Sequence, residues 1–273
     1  MNRTLLRAAA AALLLGATPA VGMSQHHHTK DVKLHINTRW SECAFQLDPS
    51  LTPAAWRRFT EEAGLVAYLR PLADARPMGA GSVEVSLLQW ATAIDDADPA
   101  WNDTFVHPHD THWLKEGDRL PFPALMVRAG MNDRMDIGAF FTKNPESNYG
   151  FYGGQLQYNF VNDEKRGWAA SGRTSFVSLF GPEDLDLTVI GLDFLASWTF
   201  PVNGWLTVSP YAGMSSYLSY AHEKSTVVDL GDEIVPGSQT MLGAVAQVSR
   251  TRLAVELSSA RVRTLSFKVG VGF

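Results

Sequence analysis

The chain has 273 residues, of which 45% are hydrophobic and 19% charged, and its formal charge of −5 comes from 28 acidic against 23 basic side chains. A mildly acidic chain is a poor match for a nucleic-acid partner, and one cysteine, Cys43, excludes an internal disulfide framework. No segment approaches 18 consecutive apolar residues, so a transmembrane helix is excluded, and any membrane crossing has to be made by strands.

Met1 to Arg7 is a basic leader and Ala8 to Leu15 an apolar run too short to span a bilayer. The small residues of Ala17-Thr18-Pro19-Ala20-Val21-Gly22 follow. This is the pattern of a secretory signal peptide over 1–22, cleaved after Ala20 or Gly22. Losing Arg3 and Arg7 takes the formal charge from −5 to −7.

Residues 23–80 form an N-terminal segment, expected in the periplasm or as a plug. Gln25 to Lys30 carries His26, His27 and His28 and reads as a polar leader, with metal binding the weaker alternative. Asp31 to Trp40 alternates weakly. The best helix lies near 53–63: Thr52 caps it, Pro53 takes the first position and Gly64 follows the end. Ala55, Trp56, Phe59 and Ala63 fall on one face, which is expected to pack under or inside a barrel, with an interfacial membrane helix as the alternative. Leu65 to Leu72 looks extended, and Asp74 to Ser82 reads as a linker.

From 81 to 273 the pattern changes to ten amphipathic strands: 83–94, 122–131, 134–142, 149–160, 166–180, 186–200, 205–220, 239–249, 251–259 and 263–273. The last is the clearest. Leu265, Phe267, Val269, Val271 and Phe273 alternate with Thr264, Ser266, Lys268, Gly270 and Gly272 and end on an aromatic residue. This resembles the C-terminal signature of Gram-negative outer-membrane β-barrels, whose last strand is read by the machinery that inserts them. The resemblance implies that Phe267, Val269, Val271 and Phe273 form the insertion signal, with the barrel assembly machinery and outer-membrane lipid as partners.

The expected fold is therefore all-β, an antiparallel up-and-down transmembrane barrel of ten strands with a short N-terminal helix. Twelve strands, adding a hairpin from 32–40 and 65–71, is the alternative. Connections alternate in length, with 132–133, 161–165, 201–204 and 250 short, as periplasmic turns are. The longest, 95–121 and 221–238, both fall on the other side. Phe160, Trp168, Phe200 and Phe273 share outward parity at one end, as do Tyr152, Phe180 and Tyr220 at the other, which is the arrangement of two interfacial girdles.

Ile137, Ala139, Phe141, Leu156, Tyr158, Ile190, Leu192, Phe194, Ala196 and Trp198 face outward in this parity, together with Leu206, Val208, Ala212, Met214, Leu253, Val255 and Leu257. The opposite face carries Glu84, Arg128, Asp136, Arg173, Asp193, Arg252, Glu256 and Lys268, with Gln155, Gln157 and Asn159. In a lumen this narrow, acids and bases should pair and fill the space; a selectivity-lined channel is the alternative. Gln89 falls on the outward parity unless a bulge shifts its strand. Gly150, Gly153, Gly154, Gly191 and Gly213 read as bends.

Trp101 to Trp113 brings His107, His109, Asp110 and His112 within six residues, and the other long loop adds His222 and Glu223. Three imidazoles are a candidate zinc or copper site at His107, His109 and His112, although the spacing fits no established zinc signature. Omptin-type outer-membrane proteases also have ten strands and use Asp and His at the outer rim; their paired acidic motifs are missing here, so that parallel is one of fold only. Nucleophile elbows, phosphate loops and dinucleotide fingerprints are likewise missing, which points away from an enzyme and requires no cofactor. The expected function is a narrow porin-like channel for small solutes or a structural protein of the cell outer membrane. The rivals are an outer-membrane enzyme with a rim site of His107, His109, His112 and His222, and a surface receptor or adhesin.

Overall fold

The computed structural model describes residues 44–45, 47–95, 97–106, 119–143 and 149–273, all within the unit His35–Phe273. The signal peptide, residues 26–28, the weak strand 32–40, Cys43 and the histidines His107, His109 and His112 lie outside the described residues.

Ten strands make the wall: β2 (Val83–Ala93), β4 (Arg119–Gly130), β5 (Met135–Lys143), β6 (Gly150–Asp163), β7 (Trp168–Phe180), β8 (Leu185–Trp198), β10 (Leu206–Glu223), β11 (Glu233–Val248), β12 (Thr251–Ser259) and β13 (Arg263–Gly272). Each pairs antiparallel with the next, and β13 closes on β2 from Thr264 opposite Thr92 to Gly272 opposite Glu84. The sheet therefore has no free edge along the wall, the arrangement that satisfies every strand without water. β9 (Phe200–Pro201) continues β8 beyond Thr199 against β10. Outside the wall, β1 (Ala44–Phe45) pairs with β3 (Phe105–Val106), and two helices, α1 (Pro53–Ala67) and α2 (Pro99–Asn102), complete the described elements.

The wall follows the period of two in the sequence. In β8 every second residue is buried, and Ile190, Leu192, Phe194 and Trp198 are exposed; β13 exposes Leu265, Phe267, Val269 and Val271 in the same way. Leu125, Val127, Ile137, Phe141, Leu156, Leu242, Leu253 and Leu257 extend this apolar face around the barrel. A continuous exposed belt of this size is untenable in water and is what a bilayer covers. Aromatic rings sit at both ends of the belt: Phe160, Trp198 and Phe200 at the rim that holds Val83 and Phe273, called proximal here, and Phe141, Tyr152 and Phe180 toward the distal rim. Trp168 is only half-exposed.

Local departures from the sequence reading have physical causes. β6 runs on to Asp163 because a bulge between Asn159 and Val161 takes up Phe160, so most of the expected turn 161–165 is strand. β11 starts at Glu233 rather than 239, since Glu233 to Ser238 pair with β10, which shortens the loop 221–238 to 224–232. Gln89 faces outward between Phe267 and Pro123 with no register shift. Residues 65–71 form no strand: 65–67 finish α1, which excludes the proposed twelve-strand hairpin through that segment.

Candidate functional site in the barrel lumen

The site begins with α1. Thr52 accepts from the Ala55 amide through its side chain and Pro53 takes the first position, as the residue types require. The helix lies at the distal mouth and carries an apolar face, Trp56, Phe59, Ala63 and Val66, into the barrel. Phe59 stacks on Trp56 and meets Trp101 and Phe45 edge-on. Trp56 donates to the Gly231 carbonyl (3.2 Å), Arg57 pairs with Glu233, and Ser219 donates to the Thr60 carbonyl (2.7 Å). Glu62 is buried at the centre of this cap, accepting from Arg58 (2.9 Å), the Trp101 indole (2.6 Å) and Arg261 (3.0 Å). The Glu62 carboxylate holds the Arg58 guanidinium even more firmly charged than usual.

Beyond α1 the chain does not leave the barrel. Residues 68–82, the stretch expected to be partly a linker, run down the lumen from the distal to the proximal rim and bond to the wall at successive levels. At the last turn of α1 the Val66 carbonyl accepts from Trp90 (2.9 Å); beyond it the Leu69 carbonyl accepts from Arg173, and the Leu72 amide donates to Glu256 (3.3 Å). Lower down, the Ala75 amide donates to Ser197 (3.1 Å) while its carbonyl accepts from Asn159 (2.8 Å). The Met78 amide donates to Asp136 (3.0 Å), and the Gly81 amide donates to the Gly130 carbonyl while the Gly130 amide donates to the Ser82 carbonyl before Val83 opens β2. An extended backbone inside a barrel has unpaired donors and acceptors, so polar wall residues have to supply them.

The expected lumen residues Glu84, Arg128, Asp136, Arg173, Asp193, Glu256 and Lys268 are all buried inside the barrel, and Arg252 is partly so. They form separate clusters. Glu84 accepts from Lys268 (2.8 Å), Arg252 (3.2 Å) and Ser86 (2.9 Å). Arg128 pairs with Asp136 at 3.3 Å. Arg173 binds Asp193 through Nε and Nη2 and donates to Gln155 (2.7 Å); Asp193 also accepts from Ser215 and from Tyr68 of the threaded segment. Glu256 has no cationic side chain in hydrogen-bond contact among the described residues and is held by Tyr211 (2.7 Å), Ser258 and the Leu72 amide. A charge so far from water is tolerated only when its lone pairs are filled this way.

Sequence reasoning missed the inner partners. Glu62 and Arg70 belong to no sequence motif, yet Arg70 is buried, donates to the carbonyls of Leu65 and Tyr68 and to Thr264, and lies over the Trp90 ring. Tyr68 carried no signal except its neighbour across space. Gly191 also makes room for a ring: a Cβ there would stand 2.3 Å from the Tyr68 hydroxyl, so it is the slot for that side chain. Gly191→Leu is accordingly expected to expel Tyr68, remove its bond to Asp193 and destabilise the barrel by about 1–3 kcal/mol, read from the urea midpoint of refolding into vesicles. An unchanged midpoint would refute the slot.

At the distal rim His222 bonds through Nδ1 to Asp232, which also accepts from Tyr220 (2.8 Å). These hydrogen bonds, that from His222 foremost, hold the Asp232 carboxyl below its ordinary range. No cluster of three or more metal-ligating side chains occurs among the described residues.

No protein-family profile matches the chain, and no curated protein aligns with it. Solved structures with a similar path are outer-membrane β-barrels. They include Ail, the attachment invasion locus protein of Yersinia pestis (11% identity, 71% of this chain and 99% of that one, TM-score 0.28), and an outer-membrane channel from Pseudomonas putida F1 (11%, 76% and 100%, TM-score 0.44). The β domain of the Bordetella autotransporter BrkA is a third (12%, 71% and 99%, TM-score 0.39). Their named activities differ from one another, and it is the closed ladder of this chain that defines its fold.

Proposed function

We propose that this protein is an outer-membrane barrel closed by its own N-terminal segment, a structural membrane protein rather than an open pore. The observation that carries the reading is the run of bonds from residues 60–82 to the wall, from Ser219 near the distal rim to Gly130 at the proximal one. On this reading the proximal rim, with its short turns 131–134, 164–167, 202–205 and 249–250, faces the periplasm, and the longer distal connections face outward. Residues 1–22 are its export signal, residues 23–80 include the plug, and outer-membrane lipid and the barrel assembly machinery are its partners. A narrow channel for small solutes is the state left when the segment withdraws, and the paired lumen charges would then line it.

In planar bilayers the intact protein is expected to give small conductance or none. A variant lacking residues 44–80 should conduct several-fold more, as should Tyr68→Ala combined with Arg70→Ala, which cuts the segment's buried side-chain ties to Asp193 and Thr264 while leaving the wall intact. Large, weakly selective steps from the intact protein would refute the closed-lumen reading.

A further inference from the structure

The junction between β4 and β5 is the shortest in the wall. It pairs six positions, Leu125 opposite Phe141 to Gly130 opposite Asp136, whereas every other junction between wall strands pairs at least nine. Continued by one step on the same face, the register would set Pro123 against Lys143. The Pro123 carbonyl points toward β5, where the Thr142 hydroxyl donates to it. Nitrogen and carbonyl of one strand residue face the same neighbour, so the donor that proline lacks is missing on the β5 side, and the ladder stops there.

Over this break the outer wall has a groove of about 500 Å³. Its sides are apolar, with Leu87, Leu125, Phe141 and Phe267 the main bulk; of the polar residues along it, Thr142 and Lys268 are buried toward the interior, and Gln89 and Lys143 lie on the outer face. Gln89 faces outward from the middle of β2, and its amide has no hydrogen-bond partner among the described residues. Lys143 ends β5 at the distal rim, where a headgroup would lie; its ammonium donates to the Tyr149 carbonyl at 3.5 Å, a long bond that leaves it able to meet an anion as well. On the inner side, Phe122 stacks with Trp90 and meets Phe151 edge-on, sealing the break from the lumen. The groove is thus a seat on the wall and not a passage through it.

We propose that this groove binds one membrane lipid with an anionic phosphate headgroup. An acyl chain lies against Leu87, Leu125, Phe141 and Phe267, the Gln89 amide donates to the ester oxygens, and Lys143 meets the phosphate. The charge and the apolar bed supply the two halves of an amphiphile's recognition, and an amide on a lipid-covered face gains a partner that the protein does not provide. The assignment rests on the membrane reading above.

The test is native mass spectrometry of the full chain folded in phosphatidylcholine nanodiscs containing a minor share of phosphatidylglycerol. One phosphatidylglycerol should be retained in preference to phosphatidylcholine. Lys143→Gln should lower that preference about fivefold, the value of one surface cation against an anionic lipid, while leaving neutral lipid retained. Leu125→Trp, which fills the groove, should lose both. A folded wild-type barrel, recognised by heat-modifiable migration, that shows no preference, or a Lys143→Gln variant that keeps it, overturns the lipid site alone. Failure of the wild-type chain to enter bilayers as a heat-modifiable species overturns the membrane reading and the site together.

Discussion

Arg173→Ala is expected to destabilise the folded barrel by about 3–5 kcal/mol, because it leaves Asp193 charged, buried and facing only the hydroxyls of Tyr68 and Ser215. It also frees the Leu69 carbonyl and Gln155 from the guanidinium. Two parts of the molecule are tied by that one side chain, the wall strands β7 and β8 and the threaded segment, so the loss falls on both. The double variant Arg173→Ala with Asp193→Ala should be less damaged than the single one, since it removes the stranded carboxylate along with its partner. Equilibrium refolding into vesicles, followed by tryptophan fluorescence, measures both. A single variant within about 0.5 kcal/mol of the parent, the range of ordinary surface changes, would mean that the Arg173 cluster is open to water.

Arginine at Phe267 or Val269 is the second large effect. Both side chains point outward from β13, the strand that closes the barrel against β2, and are half-exposed at 42% and 51%. On a soluble protein such positions would tolerate arginine within about 0.5 kcal/mol. Facing hydrocarbon, each arginine should cost clearly more than that, up to the about 2–4 kcal/mol of a mid-bilayer position, and at the closing seam it should also block assembly while export proceeds. The measurement is the share of exported chain that becomes heat-modifiable in the membrane fraction. Normal assembly of either variant would count against a lipid-covered wall and against Phe267, Val269, Val271 and Phe273 as an insertion signal.

A lipid-facing wall and a filled lumen make separate demands on the sequence, and only some leave a local trace. The wall left a strong one. A strand with hydrocarbon on one side and a polar lumen on the other has to alternate at every step, so β8 and β13 were readable from residue type alone, and with them the ten-strand count and the inward set from Glu84 to Lys268. The cap of α1 was readable for the same reason: Thr52 and Pro53 act within one turn. The boundaries of β6 and β11 were less so, because a bulge at Phe160 and the reach of β11 along β10 depend on the partner strand and not on the residues themselves.

Residues 68–82 show the limit. Tyr68, Arg70 and Leu72 have no periodicity, since each side chain and amide answers to a different wall residue: Asp193, Thr264 and Glu256, respectively, all more than a hundred positions away. A segment that matches its surroundings one contact at a time looks like a linker until the barrel is closed around it. By itself the sequence determined the wall, its two faces and the helix, because those follow from local alternation and local caps. Only the tertiary structure decided that the segment after the helix threads the lumen, which charge pairs with which, and that Gly191 is a slot for a ring, because those follow from which strands become neighbours when the ladder closes.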